Sequence, residues 1–270
     1  MKPMELRGRW VLVTGASSGL GREMARVLAR QHGAHLLIVA RRQDRLDELK
    51  QELEQQAAIK VETCSADLSK LEDVDRVIQT AITGRELYGA VLNAGVTHFG
   101  PYSELEWDSF RAMLDTNVIA NVRMATALIP HLEKQGGGLM LVSSMAGLHP
   151  VPFQTHYSGT KGFLINFGLA LWHELQGRNV SITSYAPSGV VSEMTSGDRF
   201  APLRRWLLPV DQAAREGVEA MRTRSYLHIS GLTNRIGSVF ARMLPHRFAT
   251  GLVAAQYRAA LKKHGVSGSE

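Results

Sequence analysis

Cysteine is nearly absent from this sequence. Cys64 stands alone, so no disulfide can close within the chain. It lies in the alternating run Ile59–Ser65 and is expected to be a small buried hydrophobe, as in a reducing cytoplasm. No apolar run approaches the roughly 18 residues of a membrane-spanning helix. The first residues lack the apolar core of a signal peptide, so a cytoplasmic location is expected. The ten histidines are scattered without metal-ligand spacing, and no metal is expected. There is no internal repeat or low-complexity linker. Acids are missing from the C-terminal part. From Ala220 onward eight Lys or Arg accompany a single acid, Glu270, a net of +7, while 23 bases and 24 acids leave residues 1–219 at −1. The net charge of +6 therefore belongs to the tail. A nucleic-acid binder would set such bases beside aromatic platforms or a reading helix, and neither occurs, so nucleic acid is excluded as a partner.

What is present begins with 270 residues, 44% hydrophobic and 21% charged, which suit one large α/β unit. The stretch with the most chemistry runs from Ser143 to Lys161. Tyr157 and Lys161 lie four residues apart, on one face if the segment is helical. A free phenol titrates near pH ~10, and an ammonium beside it favours the phenolate. That spacing predicts a phenol whose pKa is lowered towards neutrality for proton exchange with a carbonyl or alcohol oxygen. Ser144 follows the apolar run Leu139–Val142, where a strand end could hold its hydroxyl near a substrate oxygen. A surface Tyr/Lys pair on an amphipathic helix would look the same in isolation.

The rest of the chain supplies context. Trp10–Val13 reads as a buried strand leading into Thr14, Gly15, Ala16, Ser17, Ser18, Gly19, Leu20 and Gly21, with a helical pattern from Met24. Strand, small-residue turn and helix make a dinucleotide site, because the backbone can approach a pyrophosphate and the helix N-terminus offers free amides. The second strand, His35–Val39, ends at Ala40, Arg41 and Arg42. An acid there would favour a free ribose 2′-hydroxyl, whereas two guanidinium groups suit a 2′-phosphate, so NADP(H) is the expected cofactor. The other reading pairs these arginines with Asp44 or Asp47. A helix over 44–56, strands over 60–65 and 88–92, and turns at Ala66-Asp67-Leu68 and Asn93-Ala94-Gly95 follow. Asp67 could accept from an adenine amine, cap the helix beginning near Leu71, or do both. A long helical stretch over 105–134 contains Asn117, which could distort the helix and hold a water. Further strands are expected over 179–186, ending in Pro187, Ser188, Gly189, Val190, Val191 and Ser192, and over 225–230. The pattern predicts a Rossmann-like, doubly wound parallel sheet of about seven strands with helices on both faces, over 1–230, and a C-terminal helical extension over 231–270.

Together these residues resemble the short-chain dehydrogenase/reductase family over roughly residues 8–195. The resemblance rests on Thr14–Gly21, Asp67, Asn93–Gly95, Asn117, Ser144 and Tyr157-x-x-x-Lys161, with 13 residues from Ser144 to Tyr157. It implies Tyr157 as general acid/base and Ser144 as the group polarising the substrate oxygen. Lys161 would hold the ribose hydroxyls and lower the Tyr157 pKa, and Asn117 would fix a relay water. Cofactor contacts are expected from Gly15, Ser17, Ser18, Gly19, Leu20, Gly21, Arg41, Arg42, Asp67, Leu68, Asn93, Ala94, Gly95, Tyr157, Lys161, Pro187, Val190 and Ser192. The chain departs from the family at Pro187-Ser188, where Pro-Gly is usual, and at Ser192, where Thr is usual.

The expected activity is an NADP(H)-dependent carbonyl reductase or alcohol dehydrogenase. A non-catalytic NADP(H)-binding protein of the same fold is the alternative, and the intact Asn117, Ser144, Tyr157 and Lys161 speak against it. His149, Phe153, Gln154 and His156 are expected at the substrate pocket. Residues 194–206 are expected to form a lid with Phe200, Leu203, Trp206 and Leu207 as apolar contacts, suiting a hydrophobic carbonyl or alcohol. Leu164, Phe167, Leu171 and Trp172 exceed what one sheet contact needs and suggest a homodimer or homotetramer. In the tail, Ile236, Val239, Phe240, Met243, Leu244, Phe248, Leu252, Val253, Tyr257 and Leu261 recur at helical steps on both sides of Pro245, accompanied by bases. Two readings stay open: a basic amphipathic pair touching a membrane or docking an anionic carrier or phosphate-bearing substrate, and an apolar face packed on the body or on a neighbouring subunit. The packed reading is preferred, because a pocket cover needs the same pattern.

Overall fold

The computed structural model describes residues 1–191, 193–196, 207–243 and 245–262. Seven strands alternate with helices: β1 (Trp10–Thr14), α1 (Gly19–Arg30), β2 (His35–Ala40), α2 (Gln43–Gln56), β3 (Val61–Ser65), α3 (Leu71–Ile82) and β4 (Leu87–Leu92). Then come α4 (Trp107–Leu114), a π-helical turn (Asp115–Ile119), α5 (Ala120–Gln135), β5 (Gly138–Val142), α6 (Met145–Leu148), α7 (Thr155–Glu174) and β6 (Ser181–Ala186). The described chain ends with α8 (Val210–Arg222), β7 (Leu227–Ile229), α9 (Leu232–Met243) and α10 (His246–Lys262).

All paired strands are parallel, in the order β3-β2-β1-β4-β5-β6-β7. Parallel strands are covered on both faces, which is why they read as unbroken apolar runs rather than alternating ones. The period of two sorts the side chains. Val11, Val13, Leu36 and Ile38 join Met24, Leu28, Leu46, Leu49, Val218 and Met221 under α1, α2 and α8. Leu12, Leu37 and Val39 join Val74, Val77, Met124, Leu128 and Leu132 under α3 and α5. Each fully buried leucine contributes about 1.5–3 kcal/mol.

The chain moves outward from β1 to β3, then returns to place β4 on the other side of β1. Loops leaving β1 and β4 therefore diverge and open a crevice at the strand C-termini. Thr14, Ala40, Leu92, Val142 and Ala186 all end on that edge.

Several boundaries differ from expectation. The 105–134 segment is interrupted by the π turn, and β6 begins at Ser181 instead of residue 179. Helix α8 is not among the expected elements; its buried face is made of small residues, Ala213, Ala214 and Gly217, with Val218 and Met221. Leu164 is fully buried, and Phe167, Leu171 and Trp172 pack against the second apolar layer, so these four face the sheet. In the tail the preferred packed reading holds for Tyr257 and Leu261, which meet Phe99 and Phe153. On α9, by contrast, Leu232, Ile236, Val239 and Phe240 are exposed and do not pack on the body.

Helix α7 lies close on the sheet because residue 168 is glycine. A Cβ there would stand 2.4 Å from Ser184 Oγ and 3.0 Å from Leu141 Cδ1. Gly168→Val is expected to lower stability by about 1–3 kcal/mol through overpacking, read as an earlier urea midpoint with an unchanged slope.

Candidate active site

The turn after β1 folds against the turn after β4. Thr14 Oγ1 accepts from the amides of Asn93 (2.9 Å) and Ala94 (3.0 Å), and Asn93 Nδ2 donates to the Thr14 carbonyl (3.0 Å). Gly15 has φ +70°, and a Cβ there would lie 2.8 Å from Asn93 Nδ2. At Gly21 a Cβ would lie 2.4 Å from the Gly15 carbonyl oxygen. These glycines are thus required by close approach. Ser18 is the α1 N-cap but makes no side-chain capping bond, and no acid lies in the first turn. Such an end favours an anion.

One cavity of about 1210 Å³ runs along the strand edge. Gly15, Ser17, Ser18, Gly19 and Leu20 line one end, followed by Ala40, Arg41, Arg42, Asp67, Leu68, Asn93, Ala94 and Gly95. Gly21 lies behind this wall, packed on the turn. Arg42 pairs with neither Asp44 nor Asp47. Its Nη2 donates to Ser17 Oγ (3.2 Å) and Glu193 Oε2 (2.9 Å), which turns it to the cavity side. The Arg41 guanidinium has no polar partner among the described residues. Asp67 does not cap α3, because Lys70 is the N-cap. Its Oδ1 accepts from Ser69 N (3.2 Å) and Oγ (2.9 Å), which fixes the carboxylate at the cavity wall.

Ser144, Tyr157 and Lys161 line the same cavity. The loop carrying Ser144 is fastened to α7. Ser143 Oγ donates to the Lys161 carbonyl (2.7 Å), Ser158 Oγ donates to the Ala146 carbonyl, and a Cβ on Gly147 would lie 2.5 Å from Lys161 O. Ser144 caps the single-turn helix α6, accepting from Ala146 N at 3.1 Å. Burial pushes the Tyr157 phenol up to about 12, and a hydrogen bond with Ser144 partly offsets this. Burial brings the Lys161 ammonium down to about 8. Its Nζ donates to Val142 O at 2.9 Å and stands 5.8 Å from the Tyr157 ring centre. The expected lowering of the phenol pKa by Lys161 is therefore reversed among these protein groups. Desolvation of the phenol outweighs its hydrogen bond with Ser144, and Lys161 contributes no offsetting interaction to it.

Asn117 occupies the π turn and is fully buried. Its side-chain amide is paired twice with Val96, accepting from the amide (2.8 Å) and donating to the carbonyl (2.9 Å), and it donates to Thr160 Oγ1 (3.0 Å). Its own carbonyl accepts from Asn121 Nδ2 at 2.9 Å. The expected helix distortion is present, and it brings Asn117 to Gly95 and Lys161: a Cβ on Gly95 would lie 3.2 Å from both Asn117 Oδ1 and Lys161 Nζ.

Beyond β6, Pro187 and Val190 line the cavity, and Ser192 lies outside the described residues. The Ser188 amide donates to Ser230 Oγ (2.8 Å), so the hydroxyl of Ser230 sets the path of this glycine-poor turn. His149, Gln154 and Leu207 line the cavity as expected. Phe153 packs with Phe99 and Tyr257, and His156 stacks near Phe110 at 5.1 Å, so neither forms the wall. Phe200, Leu203 and Trp206 of the expected lid lie outside the described residues. The opposite wall comes from α9 and α10, through Ser238, Phe240, Val253 and Tyr257.

The profile of the family described as short chain dehydrogenase matches residues 9–201. The chain belongs to the short-chain dehydrogenase family. It is 39% identical over 186 residues to a hydroxysteroid 11-beta-dehydrogenase 1-like protein from Gallus gallus, covering 67% of this chain and 64% of that one. It is 32% identical over 193 residues to a very-long-chain 3-oxoacyl-CoA reductase from Danio rerio, covering 70% and 60%. The chain thus matches about three-fifths of the length of these relatives. A solved short-chain dehydrogenase from Sphingobium yanoikuyae in complex with NADPH superposes with a TM-score of 0.79 at 25% identity, covering 87% of this chain and 93% of that one.

Sequence reasoning about this dehydrogenase missed several residues around the site. Thr14 ties the two glycine turns, Thr160 and Asn121 hold Asn117 from either side, and Glu193 meets Arg42 from across the crevice. Thr14, Thr160 and Asn121 sit next to, or one helical turn from, residues of the motifs, and that spacing was the available signal. Glu193 arrives from a distant segment, and nothing local marks it.

The lowered Lys161 pKa has a pH consequence. In the absence of added nucleotide, the unfolded chain binds the Lys161 proton up to about 10.4, while the folded protein releases it above about 8. Across that window the unfolded state binds more protons, so this residue makes stability rise with pH. Urea unfolding at stepped pH is expected to show that rise relative to Lys161→Met, which removes it.

Proposed function

We propose that this short-chain dehydrogenase moves a hydride between NADP(H) and a carbonyl or secondary alcohol of a hydrophobic substrate. The observation that carries the reading is the continuity of one cavity from the glycine turn to the hydrogen-bonded Tyr157 and Ser144. The residues fit a dinucleotide. The α1 N-terminus and the Gly15–Gly21 approach would hold the pyrophosphate, Asp67 and Leu68 the adenine, and Asn93, Ala94 and Gly95 the adjoining ribose. Lys161 and Tyr157 would meet the nicotinamide ribose, with Pro187 and Val190 beside the nicotinamide. When bound, the nicotinamide supplies or accepts the hydride, and the protein provides geometry and proton handling.

Ser144 donates a hydrogen bond that orients the substrate oxygen. Tyr157, with its pKa near 12, is a protonated phenol at neutral pH and delivers its proton to the oxygen of a carbonyl undergoing reduction. Lys161, close to 8, can lose and regain a proton near neutrality and would act as a proton reservoir behind the phenol, without touching its hydroxyl directly. Asn117 holds the π turn next to Lys161, where a water joins that ammonium to solvent.

Arg41 and Arg42, with Ala40 where an acid would serve a free 2′-hydroxyl, support NADP(H) over NAD(H). Leu207, Phe240, Val253 and Tyr257 give the substrate end an apolar wall. An elongated apolar ketone fits it, such as a 3-oxoacyl chain or a ring ketone, in keeping with the names of the two curated relatives. A homodimer or homotetramer through α4, α5 and α7 would cover Trp107, Ile119 and Phe163, which are exposed.

Replacing Tyr157 by Phe keeps the ring and removes the proton. Turnover with a ketone panel is expected to fall by about 10²–10⁴, with NADPH binding retained, and a near-normal kcat would refute the assignment. For the cofactor, steady-state kinetics with NADPH and NADH compare the parent with Ala40→Asp/Arg41→Ser. The parent is expected to favour NADPH, and loss of one charge-assisted contact to phosphate should cost about tenfold or more. Equal use of both cofactors by the parent refutes the preference.

A further inference from the structure

Helix α9 turns the wrong way for an ordinary surface helix. Its inward side carries small or polar residues: Ser238 is buried, and Asn234, Gly237 and Ala241 line the cavity. Its outward side carries the large apolar ones. Leu232, Ile236, Val239 and Phe240 fall within one helical face and are 67%, 49%, 59% and 63% exposed. The neighbouring α10 adds Phe248, 57% exposed, with the Arg247 guanidinium 5.1 Å from its ring. Single exposed apolar residues need no explanation, but a contiguous stripe marks a contact surface.

Charge decides what kind of surface it contacts. Arg235 on α9 and Arg247 and Arg258 on α10 are exposed, Arg247 next to Phe248. No acid occurs from Ala220 to Ser269. A second copy presenting this same face would bring arginines against arginines, because a twofold interface pairs each patch with itself. Glu216 meets the start of α9 through the Gly231 amide, but α9 and α10 themselves carry cations and no acid. An apolar strip on such helices is complementary to an anionic lipid surface, where hydrocarbon lies beneath negative headgroups. Among the described residues no helix is long and apolar enough to cross a membrane, so the contact would lie in the interface plane.

We infer that the outer face of α9, with Phe248 of α10, docks this protein on an anionic phospholipid bilayer. Leu232, Ile236, Val239 and Phe248 enter the headgroup boundary, and Arg235, Arg247 and Arg258 meet the phosphates. Phe240 belongs both to this face and to the cavity wall, so the docked cavity opens beside the lipid. Docking needs neither cofactor nor turnover and stands or falls apart from the proposed activity.

The test is co-sedimentation of the full chain with vesicles of phosphatidylcholine alone and of phosphatidylcholine mixed with phosphatidylserine, at low and high salt. Binding is expected on the anionic vesicles only and is expected to weaken with salt. Ile236→Gln/Val239→Gln should reduce it by about tenfold or more through lost apolar insertion. Arg235→Glu/Arg247→Glu should reduce it by a similar factor, given about fivefold per cation. None of these four residues lines the cavity, so turnover of a water-soluble ketone is expected to stay at the parent value and to report an intact fold. Three results would overturn the inference. The parent could stay in the supernatant with both vesicles, or bind both equally at every salt. Alternatively, the apolar variant could abolish self-association in light scattering while leaving sedimentation unchanged, making the face a contact between copies.

Discussion

A buried ammonium constrains this fold more than any other single group. Lys161 is 3% exposed and has lost most of its contact with water. Taking such a charge out of water costs several kcal/mol unless polar groups replace the solvent. The Val142 carbonyl does so directly, at 2.9 Å, because β5 ends one residue before the serine loop. The crossover from β5 to α7 must return α7 under the strand end for the contact to exist. The Ser143 bond to the Lys161 carbonyl and the missing Cβ at Gly147 secure that return. The same helix brings Tyr157 one turn earlier into the cavity. The position of the phenol is thus a by-product of how the cation is accommodated.

The two pKa directions then complement one another. Burial keeps the phenol protonated and makes the ammonium easier to deprotonate. An acid that holds its proton sits beside a base that can exchange one, and the opposed shifts come from the same lack of water.

Much of this was legible in the residues. Continuous apolar runs such as Trp10–Thr14 and Gly138–Val142 specify strands covered on both sides, and the small-residue turns after them specify where ligands collect. Tyr157, Lys161, Ser144 and Asn117 were placed by spacing and resemblance, and the fold gathers them. What was not legible depends on distance in sequence or on small buried side chains. Helix α8 is amphipathic, but it buries alanine and glycine where the other helices bury large apolar residues. The sign of the Tyr157 shift required knowing how much water the loop excludes. The direction in which α9 turns its apolar side could not be read from periodicity, which gives the stripe but not what lies beneath it.

The π turn at Asp115–Ile119 has a geometrical cost of its own. A π turn holds one residue more than an α-helix needs over the same rise. Each helical residue turns the axis by about 100°. Deleting one residue between Asp115 and Ile119 would restore ideal helical hydrogen bonding and wind α4 by about that angle against α5. Phe110 would leave His156, and Asn117 would lose its double pairing to Val96. The segment keeps its irregular ring because a more regular helix would aim its polar side chain at the wrong strand end.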